Sequence, residues 1–277
     1  MENLVVQAFP AYHPSVIPLP TIEDGEPLAV SATLYKTYLA CPQQALGRLH
    51  GEYPADSLPA FKGSLAHRLF ARHLTKGPID DVPAACREEI GAGNMSVKLQ
   101  TLGIGKPSAL APVIAEVGDL YSRFKRFPTD GFRSAEVMLE AELDGQVRLV
   151  GVVDAIFDDE AGTRIVDWKT GGFIDDTDGQ LDFYIYAWTQ QFGELPAIAE
   201  AVSVKTGERS SVEPTVERAT GTAIAVAEMV NTLRRALRDE SELERRGGPY
   251  CRWCPLLDTC AEGNAATAIT VLRSRQN

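Results

Sequence analysis

The chain has 277 residues, 44% of them hydrophobic and 23% charged, enough for one large or two small globular domains with a full core. No apolar run reaches the roughly 18 residues that a membrane helix needs, and residues 1–10 lack the basic, apolar and small-residue order of a secretory signal, so no membrane association and a cytoplasmic location are expected. A formal net charge of −11 argues against a protein that coats nucleic acid unselectively, and is compatible with an enzyme whose carboxylates gather a divalent cation.

Pro10, Pro14, Pro18, Pro20 and Pro27 withhold donors and fix φ, which makes residues 1–30 an extended arm. Ser31 suits the N-cap of a helix running through Leu34, Tyr38 and Leu39 to about Cys41, and Pro42 opens a further helical turn. Residues 60–76 carry Leu65, Leu69 and His73 at helical spacing, with His67 at the edge of that stripe. Residues 77–108 are mixed, loosened by Gly91, Gly93, Gly103 and Gly105. Gly103–Ser108 imitates a phosphate loop, but the first glycine of that spacing is missing and Pro107 stands where the hydroxyl residue belongs, so no nucleotide site is expected. Residues 110–127 read as a helix.

From residue 133 the period turns strand-like. Val137, Leu139, Ala141 and Leu143 alternate with Glu136, Met138, Glu140 and Glu142, whose face is expected to meet solvent, although Glu136 and Glu140 could support an active site from behind. Residues 147–157 suit a buried strand, 158–162 a turn, and 163–168 a further strand ended by Thr170-Gly171-Gly172. A helix over 180–192, a strand over 198–205 and a long helix over 222–243 follow. This order predicts a mixed α/β fold with a central sheet flanked by helices.

Asp154 and Asp167 both interrupt apolar strands. The turn between them makes a hairpin on which the two carboxylates converge, and alternation puts Lys169 on the same side as Asp167. Two carboxylates form a hard oxygen site for Mg²⁺ or Mn²⁺, and an adjacent lysine can orient a water and stabilise phosphate charge. The plain alternative is two strand-end acids, one paired to Lys169. A decoy at Val204-Lys205-Thr206-Gly207, with Ser203 where the acid is needed, shows how cheap a lone match is. On their own, His67 would be an ordinary helix histidine, Gln180 a surface residue and Tyr184 a core residue.

Cys251, Cys254 and Cys260 form a CxxC-x5-C group, with Cys41 or Cys86 available as a fourth ligand. Three clustered thiols and one distant one suit an iron–sulfur cluster, with a zinc clasp or free thiols as alternatives. Arg68 and Arg72 share a face of the His67 helix, while Arg123, Lys125 and Arg126 interleave with Tyr121, Phe124 and Phe127. The second run suits phosphate contact with base stacking, or else is a solvated helix end. Arg234, Arg235, Arg238, Arg245 and Arg246 read as a solvated face.

Gly63-Ser64-Leu65-Ala66-His67, Gly151-Val152-Val153-Asp154, Asp167-Trp168-Lys169 and Gln180-Leu181-Asp182-Phe183-Tyr184 occur in that order. Over residues 31–262 the chain resembles the RecB-like branch of the PD-(D/E)XK superfamily, which includes CRISPR-associated exonucleases and AddB nuclease domains. The resemblance implies a restriction-endonuclease-like sheet and one nuclease domain over 31–277 with a cysteine clasp at 251–260. It also implies a Mg²⁺ or Mn²⁺ site on His67, Asp154, Asp167 and the Trp168 carbonyl, with Lys169, Gln180 and Tyr184 beside it. It further implies a 4Fe–4S cluster on Cys41, Cys251, Cys254 and Cys260, with Cys86 left as a buried thiol. The implied activity is hydrolysis of DNA, chiefly at single-stranded ends, alone or with helicase or CRISPR-adaptation partners; self-association is left open. The competing reading is a non-catalytic DNA-binding subunit of such a complex, for which the complete residue set would have no use.

Overall fold

The computed structural model describes residues 17–93, 95–171 and 177–274, with side chains up to 268. Residues 1–16 of the expected arm, and Gly172, lie outside the described residues. The chain opens with β1 (Leu28–Ser31), α1 (Ala32–Ala40), α2 (Pro42–Leu49) and α3 (Leu58–Lys76). The helices α4 (Val82–Ala92), α5 (Ser96–Thr101) and α6 (Pro107–Phe124) precede the strands β2 (Phe132–Leu143), β3 (Val147–Asp159) and β4 (Gly162–Lys169). Then come α7 (Asp178–Phe192), β5 (Ile198–Ser203), β6 (Arg209–Val212), α8 (Val216–Asp239) and α9 (Ala261–Ser274), with two short 3-10 turns before α9.

Local chemistry sets most of these boundaries. Ser31 Oγ accepts the Leu34 N–H at 3.0 Å and starts α1, and Pro42 sits in the first turn of α2. Ser57 caps α3 in the same way, and Gly77, at φ +90°, ends it. The segment expected to be loose holds two helices instead. Asp81 accepts the Ala84 N–H to start α4, and Ala85, Cys86 and Ile90 are buried, so capping and burial outweigh the glycines. The last long helix begins at Val216, capped by Thr215, and stops at Asp239, because Glu240 turns into the left-handed region.

β3 is the hub of a six-stranded mixed sheet. β2 runs antiparallel along most of one edge of β3. The other edge is shared: β1 lies parallel to Val147–Val150, and β4 antiparallel to Ala155–Asp159. α7 carries the chain from β4 to β5, which pairs parallel to β4, and β6 closes the far edge. One face is covered by α1, α2, α7 and α8, which bury Tyr35, Phe183, Trp188 and Met229 against Leu139, Leu149 and Ile165. The opposite face is covered by α3, α4 and α6, which bury Phe70, Cys86 and Phe124 against Phe157, Val166 and Trp168. This is the expected mixed α/β architecture, a central sheet between two helical layers.

Residues 17–27 form no helix, but they lie against the core. Ile17 is buried, and Gln190 Nε2 donates to its carbonyl at 2.6 Å. Leu28–Ser31, the end of the expected arm, belongs to the sheet. Arg234, expected on a solvated face, is instead buried. Its guanidinium donates to the carbonyls of Glu23, Glu26 and Gln146 and so fastens this segment to α8. No described helix is long and apolar enough to cross a membrane.

Cys86 is fully buried on α4, and burial pushes its thiol up to about 11. At pH 8 it is therefore both protonated and inaccessible. Alkylation of the native protein at that pH, followed by peptide mass mapping, should label Cys86 ~100-fold more slowly than in urea. Comparable rates would place Cys86 outside the core.

Candidate active site

The shared edge of β3 creates the site. The β1 register ends at Val150 and the β4 register begins at Ala155, so β3 changes neighbours across Gly151–Asp154. Extending the β3–β4 register sets Asp154 opposite Asp167. Asp154 Oδ2 accepts the backbone N–H of Trp168 at 2.7 Å, holding the two strands together with a side chain where the ladder ends. Two glycines permit the close packing around it. A Cβ on Gly151 would lie 3.2 Å from the Tyr184 ring on α7, and one on Gly63 would lie 3.1 Å from Thr170 Oγ1, just beyond Lys169.

Asp167 is 5% exposed and carries a fixed set of partners. Gln180 Nε2 donates to Asp167 Oδ1 at 2.8 Å and to the Tyr184 hydroxyl at 2.8 Å, while Gln180 Oε1 accepts from Lys169 Nζ at 2.7 Å. Lys169 Nζ is also 2.6 Å from Asp167 Oδ2, an ion pair that is not aligned as a hydrogen bond, so that buried oxygen has no hydrogen-bond donor among the described residues. Burial first, and the charge of Asp154 second, push the Asp167 carboxyl above the usual range; Lys169 offsets this only in part. Burial likewise holds the Tyr184 phenol well above its ordinary value, so it remains a hydrogen-bond donor rather than a phenolate. A desolvated, under-satisfied carboxylate beside a second one is a natural seat for a divalent cation.

His67 reaches the site from α3. Its Nδ1 lies 2.9 Å from Asp154 Oδ1. Burial alone would lower the imidazole, but the charge and hydrogen bond of Asp154, with smaller contributions from Asp167 and Glu136, hold it above the usual histidine value. Ligand atoms of His67, Asp154 and Glu136 all lie within 4.8 Å of one another. Sequence reasoning put Glu136 on a solvent face. Glu136 is exposed like Met138 and Glu140, but unlike them it lines a cleft with residues of α3. Alternation identifies a face, not what packs on it.

These three residues line a cleft of about 880 Å³, walled by Arg68, Arg72 and Lys76. Arg72 is held by Glu88 at 2.6 Å, and Arg68 lies 3.7 Å from Glu89. Arg123 lines a second groove of about 430 Å³, with Lys62, Thr170 and Lys205, on the other side of Gly63. Lys125 and Arg126 line neither cavity. The expected stacking surface is corrected: Tyr121 and Phe124 are buried, Phe124 against Phe70 and Trp168, so neither ring is available to a base.

Far from this cleft, Cys41, Cys251, Cys254 and Cys260 line one small cavity together with Arg246, Tyr250 and Gly263. Three of the sulfurs accept backbone N–H groups: Cys41 from Arg246 at 3.5 Å, Cys251 from Gly248 and Cys260 from Gly263, both at 3.3 Å. Burial raises the Cys254 thiol, and the other three cysteines add to the shift. Cys86 takes no part.

The family model of the PD-(D/E)XK nuclease superfamily matches residues 29–261. No curated protein sequence matches the chain. Among solved structures, the crystal structure of SSO0001 is similar at 16% identity, over 75% of this chain and 98% of that one, with a TM-score of 0.32.

The Gln180 network makes an ordering testable by urea unfolding. Gln180→Ala strips the donor from buried Asp167 and should cost about 1–3 kcal/mol. Tyr184→Phe loses one neutral hydrogen bond and should cost about 0.5–1.5 kcal/mol. A Tyr184→Phe penalty equal to or larger than that of Gln180→Ala would contradict the bonding described.

Proposed function

The chain belongs to the PD-(D/E)XK nuclease superfamily, and from that premise we propose that it is a Mg²⁺- or Mn²⁺-dependent deoxyribonuclease acting on single-stranded ends. The observation that carries this reading is the convergence of Asp154, Asp167 and Lys169 where β3 and β4 part, with Gln180 bonded to both Asp167 and Lys169. Asp154, Asp167, His67 and the Trp168 carbonyl would hold the cation. When bound, the cation polarises the phosphodiester and lowers the pKa of a water.

Every other role belongs to the chain's own residues. Asp167 holds Lys169 aimed along its strand face. Lys169 can then hold the attacking water and counter the negative charge that develops on phosphate. Gln180 orients both groups at once, because its amide donates to one and accepts from the other. Tyr184, kept as a phenol, can donate to a phosphate oxygen. Arg68 and Arg72 on the cleft wall would contact the backbone of the bound strand, with a salt-dependent contribution to affinity. Arg123, in the groove beyond Gly63, is in reach of a longer strand, while Lys125 and Arg126 are secondary candidates. Preference for ends and for single strands, and service to a helicase or a CRISPR-adaptation complex, follow from the motif set's likeness to RecB-like enzymes.

We also propose that Cys41, Cys251, Cys254 and Cys260 hold a 4Fe–4S cluster. Four thiols around one cavity, three of them receiving backbone N–H bonds, fit a thiolate-ligated centre. The cluster would clasp the junction of α1 and α2 to the turns before α9. It would thereby unite the chain from β1 onward as one nuclease domain. Protein purified without oxygen should be brown and contain about four irons per chain. Colourless protein with one zinc would refute the cluster and leave the nuclease assignment intact.

End-labelled single- and double-stranded DNA, incubated with Mg²⁺, Mn²⁺ or EDTA, tests the activity. Cleavage should require the cation, and Asp154→Ala or Lys169→Ala should reduce it at least ~100-fold with unchanged circular dichroism. Wild-type rates in either variant would overturn the site.

A further inference from the structure

The sequence holds three tryptophans, and two of them, Trp168 and Trp188, are buried. Trp253 is 55% exposed. Among the described residues, the exposed Phe, Tyr and Trp side chains are Trp253 and Tyr53 alone. Exposure by itself says little about an isolated ring, and its surroundings say more. Trp253 lines a groove of about 730 Å³ with Pro54, Pro59, Arg252 and Cys254. The Arg252 guanidinium lies 3.7 Å from the centroid of the indole, a cation stacked on a ring. Trp253 ends the 3-10 turn Pro249–Trp253, where the Cys254 N–H donates to the Cys251 carbonyl at 2.9 Å and Cys251 is buried. The stacked pair is therefore presented from a hydrogen-bonded turn between two thiols of the cysteine cavity.

This groove is joined to the cleft of His67 and Asp154 through a third cavity. Pro59 lines both it and the groove of about 430 Å³ that holds Arg123 and Lys205, and Gly63 lines both that groove and the cleft. The three cavities follow one another along α3. From Pro59 to Arg72 that helix is about 20 Å long, the length of about six stacked nucleotides. In the middle groove Lys62 is paired with Glu116 at 2.5 Å, whereas Arg123 donates to a neutral partner, the Lys205 carbonyl, at 2.9 Å. Arg123 and Lys205 make no ion pair among the described residues, and the acid left beside them is Asp119. In the outer groove Asp56 is paired with Lys98 at 2.7 Å, and Arg252 makes no ion pair among the described residues. Lys205, whose local sequence only imitates the catalytic motif, thus has a place on the way from the cleft to Trp253.

We propose that Trp253, with Arg252 stacked on it, is a base-stacking platform at the far end of a single-strand path that starts in the cleft and passes Arg123 and Lys205. This rests on the nuclease reading above and adds a length requirement to it: a strand long enough to reach the indole is held there, and a shorter one is not. Every base has a π face, so the platform selects unpaired bases and strand length rather than sequence. A duplex keeps its bases stacked on one another and cannot use it. A run of cations free of carboxylates, leading from the phosphodiester site to an exposed ring, matches a chain of phosphates and bases, and a protein partner would not require it.

The test measures Mn²⁺-dependent cleavage by the full-length protein of oligothymidylates of about 15 and about 4 nucleotides. Trp253→Ala should raise KM for the longer strand ~5-fold or more with kcat unchanged, and should leave the shorter strand unaffected. Trp253→Phe, which keeps a ring, should recover most of that loss. Fluorescence supplies a second readout that does not depend on the alanine variant. In Lys169→Ala protein, which holds cleavage off, the longer strand should quench tryptophan emission, and adding Trp253→Phe should abolish the quench because the two remaining indoles are buried. A blunt duplex should not quench. Equal KM for the longer strand in wild type and Trp253→Ala, no quench by a strand that anisotropy shows to be bound, or equal quenching by the duplex would overturn the platform while the nuclease reading stands. An equal rise in KM for the shorter strand, in a variant with wild-type circular dichroism, would also overturn it. A wild type that cleaves neither strand would bring down the nuclease reading and this inference together.

Discussion

Between Val150 and Ala155 strand β3 exchanges one neighbour for another, and Asp154 stands in the gap. A strand edge that loses its partner leaves backbone donors to be satisfied, and here a carboxylate satisfies one of them, the Trp168 N–H. The same bond fixes Asp154 against β4 and therefore beside Asp167. Gly151 lets Tyr184 and α7 close on β3, which brings Gln180 to Asp167 and Lys169 of β4. Gly63 lets α3 approach the end of β4, which brings His67 to Asp154. The rest of the site depends on this parting of strands.

The electrostatics follow from burial. Asp167 is desolvated beside a second carboxylate, and one lysine does not fully compensate it. A charge left in that state is costly unless it is paired, and a divalent cation pairs with both acids at once. The overall charge of −11 does not oppose a role on DNA, because the cleft that Asp154 lines is walled by Arg68, Arg72 and Lys76. Local field, rather than net charge, meets a phosphodiester.

Much of this was legible from residues alone, and the exceptions share a cause. The alternation of β3 and β4 put Asp167 and Lys169 on one side, and a turn, tighter than the expected 158–162 and confined to Glu160-Ala161, brought Asp154 to them. Ser31 announced α1 through its capping oxygen. What sequence could not show was what packs on each face. The period of α6 did not reveal that Tyr121 and Phe124 point into the core against Phe70 and Trp168. Arg234 reads as a surface charge until the carbonyls of Glu23 and Glu26 arrive from far along the chain. β1 has only four residues and pairs in parallel with a strand more than a hundred positions on, so no local pattern separates it from the arm. Glu136 had its face read correctly and its neighbour, α3, missed.

The central claim is that the parting of β3 and β4 is a cation site. Anomalous diffraction from crystals grown with Mn²⁺ examines it most directly. The account predicts a strong peak between the carboxylates of Asp154 and Asp167. Full occupancy elsewhere, with no peak at those two residues in crystals of cleavage-active protein, would contradict it.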